Sequence, residues 1–159
     1  MNLTIRDAAA ADTPLILEFI RALADYEKLT AEVTADEAGL AATLFPPAGP
    51  PAAECRLAFV EGVPAGFAIY FTNYSTFLAK PGLHLEDLFV KPEFRGRGVG
   101  KALLLGLARL ANERGYGRME WTVLDWNQPA IAFYESLGAE RLLDWQICRL
   151  TGSGLSRYA

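Results

Sequence analysis

Leu85-Glu86-Asp87-Leu88-Phe89-Val90-Lys91-Pro92-Glu93-Phe94-Arg95-Gly96-Arg97-Gly98-Val99-Gly100-Lys101 is the stretch that decides the fold. Its apolar first part reads as a strand over Leu83–Val90, stopped by Pro92, which has no N–H to donate to a ladder. A glycine-rich turn follows at once. Behind it Ala102, Leu103, Leu107, Leu110 and Ala111 recur at helical spacing, and Gly115 ends the helix as a C′ glycine. Strand, tight turn and helix in direct succession can hold phosphate. The first N–H groups of a helix lack intrahelical partners, and the helix dipole places partial positive charge there. Gly96, Gly98 and Gly100 have no Cβ, so the backbone can approach a diphosphate closely, while Arg95, Arg97 and Lys101 add charge.

Two other phosphate-binding patterns are disfavoured. A Walker loop needs Ser or Thr after Gly-Lys to hold magnesium, and Gly100-Lys101-Ala102 has neither. A dinucleotide fingerprint needs GxGxxG after the first strand, whereas this GxGxG lies past the middle of the chain. A solvated basic turn would also carry arginines, but it has no need of three glycines at alternate positions at a helix start.

Upstream, Leu3-Thr4-Ile5-Arg6 alternates as a first strand. Asp12 is the expected N-cap of a helix running to about Tyr26, with Pro14 in its first turn and Ile16, Phe19, Ile20 and Leu23 on one face. Thr34 and Glu37 form a capping-box pattern that opens a second helix through Leu44. Phe45 to Pro51 is a loop. Cys55–Val60 and Ala65–Asn73 read as strands around a turn at Glu61-Gly62-Val63-Pro64, and Pro81-Gly82 ends an aromatic loop.

Downstream, Met119–Leu124 reads as a strand, Asn127 as the cap of a helix over Gln128–Leu137, and Trp145–Leu150 as a last strand before a fraying tail at Thr151–Gly154. The order β-α-α-β-β-β-α-β-α-β predicts an α/β (α+β) fold with helices on a mixed sheet. No repeat or linker interrupts it, so a single domain over 1–159 is expected.

Composition bounds the function. The chain is 52% hydrophobic and 21% charged, enough for a core and for a solvated surface. A net charge of -4 disfavours sequence-independent nucleic-acid binding, which needs clustered Lys and Arg. There is no stretch of about 20 apolar residues and no apolar leader after Met1, so a cytoplasmic, membrane-free protein is expected. Cys55 and Cys148 form no CxxC pair and read as buried, reduced thiols, and the lone histidine has no ligand-spaced partner, so no metal is expected.

Arg95-Gly96-Arg97-Gly98-Val99-Gly100 resembles the (Gln/Arg)-x-x-Gly-x-(Gly/Ala) motif of the GNAT N-acetyltransferase superfamily, which cradles the coenzyme A pyrophosphate. Leu85-Glu86-Asp87-Leu88-Phe89-Val90, Trp126-Asn127-Gln128-Pro129-Ala130, Phe133-Tyr134 and Ala24-Asp25-Tyr26-Glu27-Lys28-Leu29 extend the likeness over nearly the whole chain, toward the diamine, spermidine and thialysine branch. The resemblance implies the superfamily's fold, a mostly antiparallel sheet flanked by helices, with acetyl-coenzyme A as co-substrate. It also implies a small-molecule amine as partner and a homodimer.

The resemblance also implies roles. The coenzyme would meet the Leu88, Phe89 and Val90 backbone like an added strand, the turn from Arg95, Gly96, Arg97, Gly98, Val99 and Gly100 to Lys101, and Asn127, Pro129, Ala130 and Tyr134. Glu86 would help the amine lose its proton, and Tyr134 would protonate the departing thiolate. Tyr26 and Glu27 would contact the amine. Strand alternation places His84, Glu86, Leu88 and Val90 on one face, opposite Leu83, Leu85, Asp87 and Phe89, with Asp87 competing for the role of Glu86 if the faces are reversed.

Each residue also has a plain structural reading: Glu86 as a salt-bridged strand carboxylate, Tyr134 as packing beside Phe133, Glu27 as a solvated helix end. His84 stands where relatives commonly have tyrosine and shares a face with Glu86. Two classes follow: an acetyltransferase acting on a polyamine, diamine, lysine-like amino acid or protein amine, and a non-catalytic acyl-coenzyme A sensor, which has no need of Glu86 and Tyr134.

Overall fold

The computed structural model describes residues 1–159. It has two compact units, Met1–Thr122 and Val123–Ala159. In the first, strands β1 (Leu3–Asp7), β2 (Glu54–Val60), β3 (Val63–Ser75), β4 (Lys80–Val90) and β5 (Met119–Glu120) form one sheet in that order. The first three pairings are antiparallel, and β4 pairs β5 in parallel. Helices α1 (Thr13–Tyr26), α2 (Glu37–Leu44) and α3 (Val99–Glu113) flank the sheet. The second unit holds α4 (Gln128–Ser136) and the one-turn α5 (Ser153–Ser156). The fold is the mixed α/β arrangement expected.

The spacing of Ile16, Phe19 and Leu23 places them on one side of α1, where they pack with Leu44 of α2 and with Cys55, Leu57, Phe67, Ile69 and Phe89 of the sheet. Phe19 is central: its ring stacks on Phe67 at 5.2 Å and meets Phe89 edge-on at 6.4 Å. Truncating such a side chain to Ala costs about 3–5 kcal/mol. Arg56, between Cys55 and Leu57, turns the other way and donates to the Gly106 carbonyl of α3 at 3.3 Å, so α3 covers the opposite face.

Local signals and their tertiary outcome differ at several points. Asp12 is not a side-chain cap for α1; it binds Arg6 through two bonds of 2.7 and 2.8 Å and accepts from the Ala9 N–H at 2.8 Å. Asp36, not Thr34, caps α2, accepting from the Gly39 N–H at 2.7 Å. The β2–β3 turn is only Glu61-Gly62, both at positive φ (50° and 79°), which suits a tight hairpin. Strand β4 starts at Lys80 rather than Leu83, because β3 runs on to Ser75 and pairs it through Asn73, Tyr74 and Ser75.

β5 stops at Glu120, short of Leu124, and pairs with β4 only at Leu83 and His84. Trp145–Leu150 forms no strand: the cross-strand partner that would convert its pattern into pairing is missing from its own unit. The tail ends in the α5 turn, and Cys148 is exposed while Cys55 is buried.

The main correction concerns β4. Ile69 pairs with Asp87 and Tyr70 with Leu85, so Glu86 is an extra, bulged residue. One extra residue inverts the alternation beyond it. Leu83 and Leu85 face the α3 side, and after the bulge Leu88 and Val90 take over that side. His84, Asp87 and Phe89 share the α1 side, opposite cross-strand partners Phe71, Ile69 and Phe67. The expected grouping of His84 with Leu88 and Val90 does not hold.

Candidate active site

The glycine turn adopts the geometry its composition suggested. Gly96 and Gly98 have φ of +73° and +80°, with Gly98 in left-handed conformation as the residue that opens α3. A Cβ at either position would meet no protein atom within 4 Å, so the glycines serve backbone conformation and leave the space before the helix open. Gly100 differs: it lies inside the first helical turn, and a Cβ there would touch Val90 Cγ2 at 3.5 Å. Val99 is buried and anchors the helix start. The N–H groups of this first turn have no intrahelical carbonyl to bond and point into the open space. A diphosphate fits such a cradle.

Of the three cations, Arg95 turns back toward the strand. Its Nε donates to the Val90 carbonyl at 2.9 Å, and its guanidinium lies 4.8 Å from the Tyr26 ring centroid and 5.5 Å from that of Phe89. Arg97 lies over Phe94 at 5.8 Å, and Lys101 is exposed.

On its far edge β4 pairs with β5 only at Leu83 and His84, so Leu85 to Val90 run on with no strand beyond them. An extended chain can add there, with the Leu88, Phe89 and Val90 backbone as the rail. Phe89 is buried beneath it and Leu88 and Val90 are half-buried.

The bulge brings two adjacent carboxylates into different surroundings. The Glu86 side chain is 59% exposed, and its Oε2 lies 3.7 Å from His84 Nε2. Asp87 is half-buried, and its carboxyl is pushed up to about 6 by burial and by the charges of Glu86 and Glu27. Burial also raises the Glu27 carboxyl. The three carboxyls gather on the side of the sheet where α1 ends, next to Tyr26. Sequence alternation left Asp87 as a competitor to Glu86; its burial among like charges marks it independently as a functional candidate.

In the second unit, Asn127 is buried and caps α4, its side chain accepting from the Ala130 N–H at 3.4 Å. Pro129 falls in the first turn, where its missing N–H costs nothing. Tyr134 is half-buried and its ring lies 5.4 Å from that of Phe133.

A turn for diphosphate, an open strand edge and grouped carboxyls fit the class of enzymes that transfer acyl groups from coenzyme A. Residues 17–139 match the acetyltransferase (GNAT) family. Among curated proteins, an L-ornithine N5-acetyltransferase of Arabidopsis thaliana is 35% identical over 95% of this chain and 85% of its own. A thialysine N-epsilon-acetyltransferase of Bos taurus is 34% identical, covering 98% and 96%. An integron cassette protein from the mobile metagenome of V. cholerae superposes with a TM-score of 0.79 at 25% identity, over 99% and 98% of the chains. The chain belongs to the GNAT family and is an N-acetyltransferase, which sets aside the non-catalytic sensor.

Proposed function

We propose that this enzyme moves the acetyl group of acetyl-coenzyme A directly to a primary amine of a small polyamine, diamine or lysine-like amino acid. The carrying observation is the grouping of Glu27, Glu86 and Asp87, which favours an acceptor bearing positive charge. The names of the thialysine and ornithine acetyltransferases support the same class. The co-substrate supplies an acetyl thioester; the cradle from Arg95 to Lys101 holds its diphosphate, and the Leu88–Val90 backbone, Asn127, Pro129 and Ala130 hold the remainder.

Tyr26 and Glu27 position the amine. An alkylammonium has a pKa near 10.4 in water, so it must lose a proton before its lone pair can attack. Glu86 receives that proton at its carboxylate, directly or through water. The Tyr134 phenol gives a proton to the sulfur as the carbon–sulfur bond breaks.

One N-acetyltransferase domain over 1–159 is proposed, a reading supported by a family match that runs through both compact units. The homodimer is also proposed, on the apolar side chains of Leu142, Leu143, Trp145, Ile147 and Leu150, all exposed in a single chain. A cytoplasmic setting accords with two free thiols.

The test is thiol release from acetyl-coenzyme A with spermidine, putrescine, ornithine, lysine, thialysine and a peptide amine. Release with a small diamine or lysine-like amine is expected. Release with the peptide alone, or silence with every amine, would overturn the reading. Sedimentation at micromolar concentration should show twice the 17.4 kDa of one chain; a monomer would refute the dimer.

A further inference from the structure

The chain has one histidine, His84, beside the carboxylate read above as the amine's proton acceptor. Its ring tilts against Phe71, its cross-strand partner, with centroids 4.9 Å apart, which restricts the imidazole plane. Its Nε2 lies 3.7 Å from Glu86 Oε2, and its side chain is 22% exposed against 59% for Glu86. Glu86 is bulged and solvated, so a small side-chain rotation closes that gap.

The charged groups around the imidazole are all defined. Glu86 and Asp87 follow on its own strand, and Glu27 acts on Asp87 from the end of α1. On β5, Glu120 is the cross-strand partner of His84, but its carboxylate is engaged by Arg118 at 3.2 Å and by the Asn73 amide at 3.1 Å. Glu86 is therefore the carboxylate the ring meets.

Resting on the acceptor reading above, we propose that His84 relays the amine's proton from Glu86 to solvent, as a positioning residue acting through Glu86. The ammonium N–H bond breaks as an O–H bond forms on Glu86. That O–H bond breaks as an N–H bond forms at His84 Nε2, and the imidazolium releases its proton to water. Glu86 is left ionised and the amine keeps its electron pair.

His84→Phe keeps an aromatic ring against Phe71 and removes both nitrogens; His84→Ala leaves room for free imidazole. Both are assayed by amine-dependent thiol release from pH 6 to 9, with acetyl-coenzyme A affinity measured separately. The expected result is a fall of about a hundredfold in kcat for both variants, an altered pH profile, unchanged coenzyme affinity, and partial recovery of His84→Ala with added imidazole. A His84→Phe profile superimposing on the wild type would overturn the relay. So would a loss that imidazole does not repair. Wild-type enzyme silent with every amine would instead overturn the acceptor reading, and the relay with it.

Discussion

The guanidinium of Arg95 lies 4.8 Å above the Tyr26 ring while its Nε holds the Val90 carbonyl at 2.9 Å. One side chain thereby joins the start of the glycine turn, the end of the strand and the end of α1. Arg95→Lys keeps the charge but loses the planar stack and the fixed Nε donor. The amine KM should rise about three- to tenfold while the fold persists, since an exposed cation–π contact is worth about 0.5–1 kcal/mol and a hydrogen bond a similar amount. Steady-state kinetics check this; an unchanged KM would separate Arg95 from the acceptor side.

Gly98 and Gly100 should respond oppositely to alanine. Gly98 has φ +80°, where a Cβ costs about 1–2 kcal/mol, whereas Gly100 is helical and its new Cβ would make an ordinary 3.5 Å contact. Gly98→Ala should lower the denaturation midpoint and Gly100→Ala should leave it unchanged or raise it. Gly98→Val should also weaken coenzyme binding in calorimetry. Wild-type affinity in a folded Gly98→Val protein would sink the turn assignment.

Asp87 couples its protonation to stability. Its carboxyl is raised to about 6, so folding favours its protonated form. That contribution is complete below the unfolded value near 3.9 and is lost as pH rises through about 6. Asp87→Asn should therefore stabilise the protein at pH 7.5, by on the order of 2 kcal/mol, with little effect at pH 4. The amine KM should rise at the same time. Thermal melts at both pH values test the first part; equal shifts at the two would remove Asp87's ionisation as the cause.

Tyr134→Phe retains packing beside Phe133 and removes the phenolic proton. A kcat at least tenfold lower with unchanged coenzyme affinity is expected from loss of a general acid. Unimpaired turnover would take Tyr134 out of the mechanism.

Gly66 of β3 stands opposite Val90 of β4. A Cβ there would sit 2.5 Å from the Phe89 carbonyl oxygen, a backbone atom with no room to move aside. Gly66→Ala should cost about 1–3 kcal/mol by forcing the strands apart, and it should weaken coenzyme binding along the Leu88–Val90 rail. A melting temperature equal to wild type would refute this.

The sequence alone determined what nearest neighbours decide. The strand into the glycine turn, the helix behind it, the α1 apolar face and the Asn127 cap were legible because period, proline, glycine and cap chemistry act within a few residues. The tertiary structure decided whatever depends on a distant partner. Only pairing with β3 makes Glu86 a bulge and puts Asp87 and His84 on the α1 side. Only Arg6 takes Asp12 from its helix, and Trp145–Leu150 has the pattern of a strand but no pairing. A one-residue shift in register leaves every local propensity intact and exchanges the faces of a strand, so the surroundings of the two carboxylates were set by pairing across the sheet.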